Sequence, residues 1–302
     1  MTACIRFPLV FTVGVFLAAC GSDESSGDSG DAGPDTGAGD KDATSSCTTV
    51  TSVSGSVIGE NSAPIAGVQF VLCVYDDDSA WCLNPESSNS RGEFSTNMLG
   101  GSACLYSASY HLGPTSRLLT PLYCRVDVSS GGAIRTLAPD RLVSVDNCAR
   151  DDLGDANSLH TVSAPDGIAM EVVPAGILLV DFAYEDLRLR RWNSADWGWP
   201  CFIDAENVPQ ALAVFAPEIG VIAGATDALH VLFPNDAGLA AGTVVDLYAL
   251  GGAATLNWNG DIVGEGLWEI VGEAEVTSDG STIRTRPGAG LPFGTWVGWK
   301  QK

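Results

Sequence analysis

The chain has 302 residues, 45% of them apolar, with 35 Gly and a formal charge of −22 from 37 acids against 15 Lys and Arg. That apolar share rules out a wholly disordered protein, and the length suits about two domains at roughly 100–200 residues each. The negative charge disfavours partners that need neutralising cations, so no nucleic acid is expected. Abundant Gly and scarce basic residues point to an all-β chain.

The first element is an export signal over residues 1–19. Arg6 supplies the positive end and "FPLVFTVGVF" (7–16) the greasy stretch. That stretch is shorter than the roughly 20 apolar residues a stable membrane span needs. "LAAC" (17–20) closes it and resembles the lipobox of bacterial lipoproteins. The resemblance implies that Cys20 becomes the mature N-terminus and carries lipid. Each buried methylene contributes about 0.8 kcal/mol, so two or three acyl chains anchor the protein in a membrane. Gly21 rather than Asp follows, which by the sorting rule of such lipoproteins implies the outer membrane of a bacterial envelope.

Residues 20–46 read as a disordered tether. From Gly21 to Ser46 there are seven acids against Lys41 and no Val, Ile, Leu or aromatic residue. Such a string cannot bury enough apolar area to offset its ordering entropy. Its r.m.s. span is roughly 30 Å, with a stretched limit near ~90 Å. The acids lack the D-x-[DN]-x-[DN]-G spacing of a calcium loop.

Residues 47–147 carry short β-branched runs divided by turn residues about every ten positions, the mark of an antiparallel β-sandwich. "VSGSVIGENSAPIAGVQFVLC" followed by "SRGEFSTNM" resembles the carboxypeptidase regulatory-like, transthyretin-type domain. Gly55, Pro64, Gly67, Val68, Gly92 and Phe94 occupy that family's motif positions. The resemblance implies a structural or adhesive module. In physical terms, Gly92 permits a tight entry and Phe94 points to the core. One hydrolase on this fold uses several His and a Tyr-Arg-Gly-Ser end, and that set is missing.

Residues 148–302 read as a second antiparallel β-sandwich. "GIAMEVVPAGILLVDFAY" (167–184) gives two strands around a turn at Pro174 and Gly176. "ALAVFAPEIGVIAGATDALHVLFPN" (211–235) is greasy, but Pro217, Glu218, Asp227 and His230 argue against a membrane span. "GLWEIVGEAEVTSDGSTIRTRPG" is the clearest hairpin, with Trp268–Val276 meeting Thr282–Arg286 across a turn at Asp279-Gly280. "LHVLFPNDAGLAAGTVVDLYAL" and the hairpin look like a C-terminal β-sandwich module of large bacterial surface proteins. "GIAMEVVPAGIL" resembles a signature of the β-sandwich domain shared by zona-occludens and netrin-receptor proteins. These resemblances imply fold and surface location and bring no catalytic residues.

Nine Cys are present. Cys4 leaves with the signal and Cys20 takes lipid. Cys47, Cys73, Cys82, Cys104, Cys124, Cys148 and Cys201 remain for disulfides, the default in an exported protein, with one left over. Cys73–Cys82 is the leading pair because it flanks a hairpin turn, and Cys104–Cys124 comes next. Cys47 or Cys201 is a partner for Cys148. No C-x₂-C spacing exists and the three His are scattered, so no metal and no cofactor is expected.

No G-x-S-x-G elbow or phosphate-cradling loop occurs. His111, His160 and His230 read as ordinary surface or core histidines. Neighbouring acids such as Asp151-Asp152 and Glu185-Asp186 could serve sugar hydrolysis only if folding places them correctly. No catalytic residue is therefore assigned. The best functional candidate is "RWNSADWGWPC" (191–201). Trp192, Trp197 and Trp199 with Arg191, Asn193 and Asp196 could form a platform for a sugar ring or a protein hot spot. The competing reading is a lid folded onto the sandwich and stapled by Cys201. The expectation is a lipid-anchored, non-catalytic surface protein, structural or adhesive. The alternative is a carbohydrate-binding lipoprotein that uses the Trp loop. Its partners would be the membrane, through Cys20, and a cell-surface glycan or protein.

Overall fold

A computed structural model describes residues 47–302, apart from 76–79, 106, 114–118, 129–132, 146–147, 153, 180–181 and 253–254. The signal, Cys20 and the tether lie outside the described residues. The first eleven strands are β1 (Thr48–Val50), β2 (Ser52–Ile58), β3 (Gln69–Tyr75), β4 (Ala80–Cys82), β5 (Glu86–Ser87), β6 (Glu93–Asn97), β7 (Ala103–Leu105), β8 (Ser107–Gly113), β9 (Leu122–Val126), β10 (Ile134–Thr136) and β11 (Asp140–Arg141). They build one sheet of β10, β2, β11 and β6, a second of β4, β3, β8, β9 and β5, and a β1–β7 ribbon.

Alternation drives this sandwich. In β6 every second residue is inward, which sends Phe94 into the core, stacked on Phe70 at 4.2 Å between centroids. Gly92 has φ +74°, and a Cβ there would collide with the Val57 carbonyl. Two ladders depart from the antiparallel pattern: β10 and β11 both run parallel to β2. The chain leaves β9 in one sheet and enters β10 in the other, and such a crossover permits parallel return where a hairpin cannot.

The remaining strands are β12 (Ala149–Arg150), β13 (His160–Ser163), β14 (Ala169–Val172), β15 (Ile177–Leu178), β16 (Arg188–Arg191), β17 (Ala211–Val221), β18 (Leu229–Pro234), β19 (Val244–Leu250), β20 (Thr255–Leu256), β21 (Ile262–Val263), β22 (Trp268–Val276), β23 (Thr282–Thr285) and β24 (Phe293–Gln301). All but β20 and β21 join one 11-stranded antiparallel sheet, in the order β12-β13-β14-β18-β23-β22-β19-β24-β17-β15, with β16 also on β17. The turn between β22 and β23 uses Gly280 at φ +73° and the Asp279 carboxylate, which accepts bonds from Thr277 and Ser281. Pro217 falls in the irregular stretch between Val214 and Ile219, where a missing N–H costs no ladder bond. Among the described residues no helix is long and apolar enough to cross a membrane.

The greasy strands β17, β19 and β24 are buried on both faces. Ala211, Ala213 and Phe215 enter one core, with Val245, Leu247, Val297 and Trp299. Their neighbours Leu212, Val214 and Ala216 enter another, with Leu250 and Trp296. Strand side chains alternate, so a strand without a polar face must be covered twice. The cover is the first sandwich: Phe70, Leu112, Leu122 and Leu142 belong to the same cluster as Trp296. Ser45 to Lys302 accordingly forms one compact unit.

Three disulfides are present among the described residues. Cys73–Cys82 bridges directly paired positions of β3 and β4, with 4.0 Å between Cα atoms. Cys104 bonds Cys47 and not the expected Cys124, because β7 pairs β1 and sets Cys104 opposite Thr49. Cys124, on β9 of the other sheet, bonds Cys201. Neither Cys47 nor Cys201 therefore bonds Cys148, which is free. Its sulfur contacts the Leu189 carbonyl at 3.3 Å, and burial pushes its thiol pKa up.

Candidate functional site at the tryptophan loop

The loop after β16 turns back onto the seam between the two regions. Asn193 Oδ1 accepts from the Asp196 N–H and starts the single turn α1 (Ser194–Trp197), which stops at Gly198 with φ +73°. Trp192, at the end of β16, is only 5% exposed. It meets Trp296 and Trp197 edge-on at 5.1 and 5.0 Å, and its Nε1–H donates to the Gly198 carbonyl at 2.7 Å. Phe202 continues the packing against Trp296 and Trp268. Trp197 is half-buried under the Arg190 guanidinium, 4.8 Å from its ring centroid.

The six candidates of this loop therefore do not make one platform. Trp192 is core, because an indole among apolar neighbours with its N–H satisfied is best placed inside. Arg191 is drawn to the Asp236 carboxylate, and Asn193 Nδ2–H donates to Asp196 Oδ2 at 2.7 Å. Trp199 alone of the three rings is open, at 39% exposure. Beside it lies a cleft of about 70 Å³ walled by Trp197, Trp199, Pro200, Cys201, Asp140 and Arg141.

Asp140 is the unusual wall residue. It is 5% exposed, and Tyr110 O–H donates to its Oδ2 at 2.9 Å. Burial raises its pKa to about 7, while the Tyr110 bond pulls the other way. Burial and the nearby Asp140 charge also raise Tyr110 far above its ordinary value, so it stays a donor. Arg141 turns away, its guanidinium donating to the Gly59 and Glu60 carbonyls.

A second polar cluster sits in the seam. Tyr123 O–H donates to Glu218 Oε2 at 2.7 Å, Ser109 O–H to Glu265 Oε1 at 3.3 Å, and His111 Nδ1 stands 3.6 Å from that same oxygen. Burial holds Glu218 above the usual carboxylate range. The two hydrogen bonds join residues 95 and 156 positions apart, so no spacing rule could have assembled the cluster. His160 Nε2 contacts the Asp155 carbonyl at 2.7 Å and His230 is buried near Asp227. Asp151 and Asp186 serve backbone N–H groups of Thr161 and Ala183. Among the described residues, two groups each bring together three side chains of metal-ligating type, Cys73 with His111 and Glu265, and Cys124 with Asp140 and Cys201. In both, the sulfurs are committed to disulfides.

No family model matches the chain, and no curated protein matches it. Among solved structures it is similar to the shaft pilin SpaA of Lactobacillus rhamnosus GG, at 9% identity and a TM-score of 0.23, over 60% of this chain and 91% of that one. The major pilin subunit BcpA of Bacillus cereus matches at 9% and 0.24, over 78% of this chain and 84% of its own. The major pilin SpaA of Corynebacterium diphtheriae matches at 8% and 0.23, over 81% and 88%. Likeness at this level assigns no role.

Proposed function

We propose that this is a lipid-anchored protein of a bacterial envelope, held by Cys20 in the outer membrane, whose β-domains act as a structural or adhesive module without catalysis. The carrying observation is "LAAC" at 17–20, set between a short apolar run and an acidic string with no apolar anchor of its own. The rest of the chain supports the reading in kind. Its aromatic residues are spent largely on packing, and two of the four acids considered for sugar cleavage, Asp151 and Asp186, accept from backbone N–H groups. Intact mass of the mature N-terminal peptide tests the anchor: a diacylglyceryl adduct on Cys20 is expected, and an unmodified Cys20 overturns it. Cys20→Ser should move the protein from the membrane fraction to the soluble one.

A second reading, binding of a surface glycan, rests on Trp199 alone, the open ring beside the cleft. Flat aromatic faces suit sugar rings. A glycan signal on an array that Trp199→Ala abolishes would favour it, and no signal in the unaltered protein ends it.

A further inference from the structure

The Cys124–Cys201 disulfide joins a buried cysteine to an exposed one. Cys124 is wholly buried on β9, whereas Cys201 is exposed and walls the tryptophan cleft. A carboxylate oxygen of Asp140 and both sulfurs lie within 4.8 Å of one another. The polarity follows. An attacking thiolate reaches Cys201, and the sulfur expelled is Cys124, in a place where a bare thiolate is costly. A leaving thiolate departs faster when its charge is neutralised. Asp140 is the acid on hand, and its burial keeps the carboxyl protonated to about neutral pH.

We propose that Cys124–Cys201 is an exchangeable disulfide, opened by a dithiol reductant that enters the tryptophan cleft, with Asp140 as proton donor to the departing Cys124 sulfur. In the first step the reductant's thiolate forms a bond to Cys201 Sγ and the Cys124–Cys201 bond breaks. Its electron pair goes to Cys124 Sγ, which takes the proton from the Asp140 carboxyl. The products are a mixed disulfide on Cys201, a thiol at Cys124 and an Asp140 carboxylate. The second thiolate of the reductant then attacks its own mixed-disulfide sulfur. That releases Cys201 as a thiolate, which takes a proton from solvent, and leaves the reductant as a cyclic disulfide. Two electrons pass from dithiol to protein. Closure reverses these steps, with the Asp140 carboxylate receiving the Cys124 proton. Opening frees the loop 192–201 from β9, so the cleft is both entry and product of the exchange.

The groups facing Asp140 are few. Tyr110 from β8 donates to it, the two cysteines flank it, and neighbouring Arg141 is engaged with backbone carbonyls. Cys73–Cys82 also has polar side chains beside it, those of His111 and Glu265, and serves as the internal control.

The test treats the full chain with dithiothreitol under native conditions from pH 5.5 to 9. Thiols are trapped by alkylation, and each disulfide is followed by peptide mass spectrometry. Rates are divided by the reductant's thiolate concentration. The expected result is a corrected Cys124–Cys201 rate that is level below about pH 7 and falls about tenfold per pH unit above it, as general-acid help is lost. Asp140→Asn flattens that profile and leaves the Cys73–Cys82 rate unchanged. Tyr110→Phe removes the bond that favours the carboxylate and moves the fall to higher pH. With glutathione the adduct forms on Cys201. An identical profile in Asp140→Asn, or an adduct on Cys124, overturns the proposal. Faster opening of all three disulfides in Asp140→Asn would mark global destabilisation, and the Tyr110→Phe shift then decides.

Discussion

The two regions reach order by different means. The first, to about residue 147, is built from two small sheets and a ribbon, and holds two disulfides entirely within itself. The second has one continuous 11-stranded sheet, a large apolar core of its own and no internal disulfide. Surface-to-volume scaling explains the division: a small unit buries too little apolar area and needs staples, while a larger one does without. The third disulfide, Cys124–Cys201, crosses between them. What the contrast teaches is that the seam, where the first sandwich covers the outer face of β17, β19 and β24, is one core built by both regions.

The largest blow to that seam is Trp296→Ala. The ring is fully buried between both regions, and its Nε1–H donates to the Pro121 carbonyl at 2.8 Å. The expected loss is about 5 kcal/mol, the upper end for an aromatic truncation, because a hydrogen bond goes with the cavity. Denaturant unfolding followed by tryptophan fluorescence and circular dichroism should then separate into two transitions. A single unshifted transition would show that the seam carries little. Next comes removal of the crossing disulfide by Cys124→Ala with Cys201→Ala. It closes a separation of 77 residues, against 9 for Cys73–Cys82. Chain entropy puts the losses at about 4.5 and about 2.6 kcal/mol respectively. Equal melting shifts for the two double variants would break the comparison.

How much of this was legible in the sequence depends on the range of the cause. The β22–β23 hairpin, the Gly92 turn and Cys73–Cys82 are local, and turn residues with short separations announce them. The two-sided burial of β17 was legible as unbroken greasiness, though which surface covers each face is a matter of tertiary packing. The parallel return of β10 onto β2 was hidden, since it depends on a crossover between sheets and not on any motif. At the candidate site the tryptophans were easy to find and hard to interpret. Trp192 and Trp199 look alike in sequence, and only the staple at Cys201 and the neighbour Trp296 make one core and leave the other open. Neither Asp140 nor Glu218, which in sequence only spoke against a membrane span, carries a local sign of a site, because a carboxylate becomes unusual only through what the fold puts around it.

Acidity sharpens the comparison further, since each region contributes a buried carboxyl. Asp140 has a folded pKa of about 7, against about 3.9 unfolded. Between those values the native state keeps a proton that the unfolded chain has released. Stability therefore falls as pH rises from about 4 to about 7 and is level beyond. Glu218, also raised by burial, adds to the fall. The size is on the order of a few kcal/mol for Asp140 alone. Urea midpoints at pH 5 and pH 8 should differ clearly in the unaltered protein and much less in Asp140→Asn. A parallel pH dependence in both would place the effect elsewhere.

The smallest expected effect belongs to Arg190, a tie across the seam. Its guanidinium forms a two-pronged pair with Glu60, donates to the Ser144 carbonyl at 2.8 Å and lies over the Trp197 ring. Both partners of the ion pair are about a third exposed, which screens the charge. A two-pronged geometry and a stacked ring make the site worth more than an isolated surface pair, about 1–2 kcal/mol. Arg190→Lys should lose most of that, since an ammonium keeps the charge but neither the fork nor the flat face. Arg190→Met, which keeps the stem over Trp197, separates the remaining terms. If Met retains stability and Lys does not, covering the indole is the larger part. If both fail alike, the fork to Glu60 is what holds the loop's outer ring against the first sandwich.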